Sequence, residues 1–156
     1  MQVLQNDSTL EVEVYTIEDY KTVDKPYEGH YLHYDTKVQA TIKPVQFLKG
    51  DYIILTNQVA NRYLVETLEP EAPDSFFNWN FFDNILQQKE GYSAYVFEDL
   101  AWELLQNDSE LKTKFNSKKA ADPEFSKDGP AQLDYIYQNS PYFEPAFLRY
   151  PVYRLI

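Results

Sequence analysis

Residues 52–68 read YIILTNQVANRYLVETL, and the apolar period changes inside that stretch. Tyr52 to Leu55 is a short unbroken apolar run that follows the turn signal Lys49-Gly50-Asp51, as a buried strand does. Beyond Thr56 the apolar residues Val59, Ala60, Tyr63, Leu64 and Leu68 recur at three- and four-residue spacing, which lines one face of a helix. Asn57 stands where an N-cap is needed, and Pro70 stops the run. RYLVETL taken alone also tolerates a strand reading. Strand before, helix after: this order predicts an α+β fold, with a small antiparallel sheet or half-sandwich followed by a helical part.

Upstream, Leu10, Val12 and Val14 alternate with Glu11, Glu13 and Tyr15, so one face of a strand meets the core and the other meets water. VDKPYEG reads as a turn. Alternation returns at Val38, Ala40 and Ile42 and ends at Pro44, and a further run covers Val45 to Leu48. Downstream, Asp74 or Ser75 can cap a segment in which Phe76, Phe77, Trp79, Phe81, Phe82, Ile85 and Leu86 are apolar on nearly all sides; this predicts the central buried element. Ser93 to Gln106 predicts a third helix with Val96, Phe97, Leu100, Ala101, Leu104 and Leu105 inward. Asn107 with Glu110 makes a capping-box pattern opening a fourth helix to about Ala120. Asp122-Pro123 and Gly129-Pro130 mark turns or helix starts, and Ala131 to Gln138 predicts the last helix. The proline-punctuated tail from Ser140 to Ile156 reads as extended and packed on the body. The whole is one α+β domain over residues 1–156, with a subdivision into a β-rich 1–56 and a helical 57–156 as the alternative.

At 156 residues the chain can bury roughly 70% of its unfolded surface, enough for a core without staples. It has no cysteine, so a disulfide framework and a thiolate metal site are both excluded. The net charge of −11 is spread along the chain, which argues against nucleic acid, because phosphate binding needs clustered Lys and Arg. The one basic run, Lys112, Lys114, Lys118 and Lys119, reads as a solvated helix face. No segment is long and apolar enough to span a membrane, and the first residues lack the pattern of a signal peptide. A free-standing chain of this kind is expected in the cytoplasm.

Three segments together carry a family likeness: TNQVANRYLVETLEPEAPDSFFNWNFFDNILQQKEGYSAYVFEDLA at Thr56 to Ala101, PYEGHYLH at Pro26 to His33, and SPYFEPAFLRYPVYR at Ser140 to Arg154. The chain resembles the C-terminal, non-catalytic region of bacterial zinc carboxypeptidase-like proteins of the carboxypeptidase A type. The resemblance implies an upstream catalytic domain as partner, whose zinc is held by a His-x-x-Glu pair and a later His, and an exported parent protein. That motif is absent: His30 and His33 are the only histidines, and the residues three beyond them are His33 and Thr36. The chain is therefore expected to hold no cofactor and to catalyse no reaction by itself, acting as an accessory domain.

Other constellations in the chain have structural roles open to them as well as chemical ones. Glu28, His30 and His33 are the one metal-ligand grouping, but on a strand Glu28 and His30 share a face that His33 does not. The expectation is that both histidines satisfy hydrogen bonds at a turn. Glu66 with Glu69 and Glu98 with Asp99 are carboxylate pairs of the kind that glycoside hydrolysis uses, though on a helix they are expected to be solvated or paired. Asn57, Gln58, Asn61 and Arg62 cluster where a helix start leaves N–H groups free, and a peptide carboxylate could bind there with Arg62 as its partner. The competing expectation pairs Arg62 with Glu66 or Glu69. Tyr137, Tyr142, Phe143, Phe147, Tyr150 and Tyr153 of the tail region, with Tyr27 and Tyr31 of PYEGHYLH, are candidates for contact with a neighbouring domain, a peptide or a glycan.

Overall fold

The alternation around Val12 belongs to a ladder longer than its pattern shows. In the computed structural model, which describes Met1 to Ile156 in full, the elements run β1 (Gln2–Val3), β2 (Ser8–Thr22), β3 (His33–Phe47), β4 (Tyr52–Ile53), α1 (Asn61–Leu68), α2 (Ala94–Asn107), α3 (Ser109–Ala121), α4 (Gly129–Gln138) and β5 (Arg154–Leu155). Strands come first and helices second, so the fold is α+β. β2 and β3 form one long antiparallel hairpin from Ser8 opposite Phe47 to Thr22 opposite His33, with register irregularities around Asp19. Pro44 does not end β3. The strand order is β3-β2-β5, which makes β3 an edge, and an edge strand tolerates a residue without an N–H.

The chain divides into two compact units, Met1–Gln87 with Ala146–Ile156, and Gln88–Pro145. The sequence suggests a subdivision near Asn57, whereas this boundary follows Gln87.

In the first unit β2 is covered on both faces. Val12 and Val14 are buried on one, and Tyr15 and Ile17 are buried on the other, where Phe77, Ile85 and Tyr150 complete a core. Tyr15 thus does not meet water, because the tail returns over its face: the Tyr150 N–H donates to the Tyr15 carbonyl at 2.9 Å. Tyr52 to Leu55 is not a buried strand either. Two of its residues pair with β1, and Tyr52, Ile54 and Leu55 are exposed.

Phe76 to Leu86 is not a helix but a chain of turns ending in a short 3-10 segment, Asp83–Ile85. Ser75 starts one helical turn by accepting from the Asn78 N–H at 3.0 Å. Asn80 ends it in the left-handed conformation, φ 53°. The Phe81 N–H then donates to the Phe76 carbonyl and the Asn80 N–H to the Phe77 carbonyl, a Schellman closure one turn after the start. Phe77 is fully buried while Phe81 is exposed, so the aromatic run is divided between core and surface.

In the second unit α2, α3 and α4 enclose Phe97, Ala101, Leu111, Phe115, Phe125, Ile136 and Tyr137. Val96, expected inward, is instead exposed, because the face that α2 turns to this core is the one that carries Phe97 and Ala101. Asp108, not Asn107, caps α3, accepting from the N–H groups of Glu110 and Leu111 at 3.0 and 2.9 Å. Asp128 caps α4 through the Ala131 N–H, with Pro130 in the first turn where its missing N–H costs nothing. No helix is long and apolar enough to cross a membrane.

Candidate functional site

The end of the β2–β3 hairpin gathers the densest polar and aromatic chemistry of the first unit. Tyr27 and His30 exchange backbone hydrogen bonds at 2.9 and 2.8 Å across Glu28 and Gly29, whose φ values are 48° and 85°. Positive φ at both central residues is the type I′ geometry that suits a tight hairpin, and Gly29 supplies the freedom it needs. Glu28 is therefore carried on an exposed tip.

His30 and His33 turn away from that tip and toward the Phe76 to Ile85 segment. His30 Nδ1 lies 2.7 Å from Asn80 Oδ1, with its ring against Trp79 and Phe81. His33 is buried, packed between Tyr20 and Phe77 at 4.8 and 5.0 Å. Its Nε2 is 2.9 Å from Asp83 Oδ1 and its Nδ1 is 2.9 Å from Thr22 Oγ1. A carboxylate only accepts, so Nε2–H donates to Asp83, and in the neutral ring this leaves Nδ1 to accept from the Thr22 hydroxyl. Thr22 and His33 are ladder partners, so this is a cross-strand pair extended to a third group. Both His33 nitrogens are committed to protein partners, and Glu28, His30 and His33 are not gathered around a common point.

Asn57, Gln58, Asn61 and Arg62 are exposed. Helix α1 begins at Asn61 with Ala60 at its N-cap, so Asn57 does not cap it. The Gln58 N–H donates to the Thr56 carbonyl and the Asn61 N–H to the Gln58 carbonyl, which uses two of the amides an anion would need. Arg62 is almost wholly exposed, and its Nε stands 4.0 Å from Glu66 Oε1. The four residues lie along an exposed turn and do not form a cup.

A cleft of about 450 Å³ does exist, and its residues come from distant parts of the sequence: Glu13, Tyr15, Glu69, Glu71 and Arg154. The β2–β5 register places Arg154 opposite Glu13. Its guanidinium reaches Glu69 Oε1 at 2.7 Å and Glu13 Oε2 at 3.5 Å, and the Tyr15 hydroxyl donates to Glu13 Oε2 at 2.8 Å. Burial and then this bond push the Tyr15 phenol well above its usual pKa. Shared between two carboxylates, Arg154 acts as a clamp fixing the returning tail to the sheet. Neither Glu66 nor Glu69 stands free as half of an acid/base pair, since each has its own arginine.

The aromatic candidates separate by burial. Tyr27, Tyr31 and Tyr142 are exposed; Phe143 and Tyr153 are half-buried, against Tyr137 and Phe47 respectively. Tyr137 and Tyr150 are buried within their own units and offer nothing to a neighbour. What periodicity missed is a surface run in the first unit, Tyr52, Ile54, Leu55, Val59, Tyr63 and Val65, all exposed, with Val59 wholly so. These residues lie in the quoted stretch, where Tyr52 to Leu55 reads as a buried strand and Val59 and Tyr63 as part of a helix face.

Compared with family models, curated proteins and solved structures, the chain finds no match.

Proposed function

We propose that this chain is a non-catalytic accessory module that flanks and supports a zinc carboxypeptidase-like catalytic domain not contained in it. The observation that carries the reading is the exposed apolar run from Tyr52 to Val65. Monomeric proteins rarely leave large apolar patches bare, and exposed apolar side chains that recur this closely along the sequence, a valine and two tyrosines among them, suit the face of a module that rests on a neighbour. The sequence has no His-x-x-Glu pair, so the zinc site of such a catalytic domain cannot be built from the residues of this chain. Any zinc belongs to the neighbouring domain. The deciding experiment is to read the DNA upstream of the Met1 codon. A frame running on into a His-x-x-Glu domain is expected, and a stop codon with a ribosome-binding site would overturn the reading. In parallel, the purified chain should not turn over C-terminal peptide substrates with or without zinc; turnover abolished by a chelator would make it an enzyme.

A second reading, a free-standing glycan- or peptide-binding module, is favoured by one feature. Tyr27, Trp79 and Phe81 surround His30 at the hairpin tip, Tyr27 with its ring 6.2 Å from Trp79, and Tyr27 and Phe81 are exposed. Such a platform can stack on a sugar ring or a peptide side chain. Titration of oligosaccharides against Trp79 fluorescence tests it, and an unchanged response in Tyr27→Ala would count against it.

A further inference from the structure

Helix α2 has one face that the fold uses and one that it leaves unused. Phe97 and Ala101 are buried in the core of the second unit. On the opposite side Tyr95, Glu98, Asp99 and Trp102 follow one another at i, i+3, i+4 and i+7, which places them in a single stripe. Tyr95 is 90% exposed and Trp102 66%, with Val96 beside them at 70%. A tryptophan and a tyrosine two turns apart are large apolar surfaces to leave in water.

The charges around these rings are all of one sign and all unused. Glu98, Asp99 and Glu103 are exposed, and none of them makes an ion pair or a side-chain hydrogen bond. No Lys or Arg occurs between Lys89 and Lys112. None of the four lysines of α3 pairs with these carboxylates: Lys112 donates to Gln106 Oε1 at the end of α2 at 3.4 Å, Lys114 pairs with Glu110, Lys118 lies over Phe125 and Tyr135, and Lys119 lies over Phe115 and donates to Gln132 Oε1 at 3.2 Å. Trp102 also forms one wall of an apolar groove of about 530 Å³ that Leu105, Phe115, Leu133 and Ile136 help to line.

These features together restrict what can cover the face. A purely apolar partner would strip water from three carboxylates without compensating them. Nucleic acid and anionic lipid would meet the same charges with repulsion. A second copy would bring another acidic α2. We propose that the Tyr95–Trp102 face of α2 and the adjoining groove dock a basic polypeptide segment. Arginines or lysines of that segment stack on Trp102 and Tyr95 while pairing with Glu98, Asp99 and Glu103, and an apolar side chain of the same segment enters the groove. This surface belongs to the second unit and does not depend on the accessory role proposed above.

The test uses the full chain and a fluorescein-labelled amphipathic arginine–leucine peptide, with a glutamate–leucine peptide of the same length as its counterpart, followed by anisotropy. Three variants are compared: Trp102→Ala, the combined E98Q/D99N/E103Q, and a control, E11Q/E18Q/D24N, that removes the same charge from exposed positions of the first unit. Circular dichroism verifies that each remains folded. The basic peptide is expected to bind and the acidic one not to bind. Affinity is expected to fall about tenfold or more in both α2 variants, the effect of losing a central contact, and to stay near the parent value in the control. An equal loss in the control would reduce the effect to bulk charge and overturn the proposal. So would binding that Trp102→Ala leaves intact, or self-association by light scattering that Trp102→Ala abolishes, which would make a second copy the occupant.

Discussion

Tyr150 brings a hydroxyl into the driest part of the first unit and gives it no protein partner. Burial, with Glu69 adding to it, pushes the phenol well above its usual pKa, so the group stays neutral and contributes no charge. Its ring packs edge-on against Phe82 at 5.4 Å, and that packing rather than the hydroxyl fixes the tail. Tyr150→Phe should therefore leave stability unchanged or raise it by about 1 kcal/mol, the usual scale of a buried unsatisfied group. Denaturant unfolding reads this directly, and a loss of similar size would reveal a partner. Glu144 shows the opposite economy. It is a half-buried residue whose carboxylate accepts from the Lys89 and Glu90 N–H groups at 2.7 and 3.3 Å, tying together the two ends of the second unit. The bond from Lys89, then that from Glu90, holds its pKa below 4.5. Because the folded pKa is the lower one, the stabilisation is complete above the unfolded value and disappears as pH falls through the folded value. The amide proton shifts of Lys89 and Glu90 should titrate together with a midpoint below 4.5. A midpoint at or above that value would mean that the tie does not form in solution.

At the level of elements, the helices of the second unit show what a sequence can announce. Asp108 accepts two amides and Asp128 one, and Asp122 does the same for the turn at Glu124 and Phe125. Asp108→Ala should cost about 1 kcal/mol by thermal or urea unfolding, as N-cap losses do. An unchanged midpoint would show that α3 is held by packing alone. These helices were legible because caps and apolar spacing are local signals, and the expected start missed only by one residue, Asn107 for Asp108. The hairpin was half legible. Alternation marked β2, but Pro44 concealed the length of β3, because only the tertiary arrangement makes that strand an edge. The Phe76 to Leu86 segment was misread for a different reason. Its composition reports burial but not backbone geometry, and Asn80 in a left-handed closure outweighs seven apolar residues. The clamp at Arg154 was not legible at all, since it joins positions 13, 69 and 154 through a register that no local pattern carries.

For the whole molecule, the important fact is that each unit encloses a core of its own while apolar surface remains uncovered on both. The first unit holds Tyr15, Ile17, Phe77, Ile85 and Tyr150 inside and still presents Tyr52, Leu55, Val59 and Tyr63 to water. Covering such a run releases water from apolar surface at roughly 25 cal/mol per Å², so in a purified chain the most available cover is another molecule of the same kind. Net charge of −11 opposes that approach and is screened by salt. Association should therefore rise with concentration and with ionic strength, the reverse of an interaction held by opposite charges. Light scattering over a concentration series at low and high salt tests this. Val59→Lys with Tyr63→Lys should return the chain to a monomer without altering its unfolding midpoint, because neither side chain is part of the core. A chain that stays monomeric at high concentration and high salt would show that the run is too dispersed to act as one face, and the accessory reading would lose the observation that carries it.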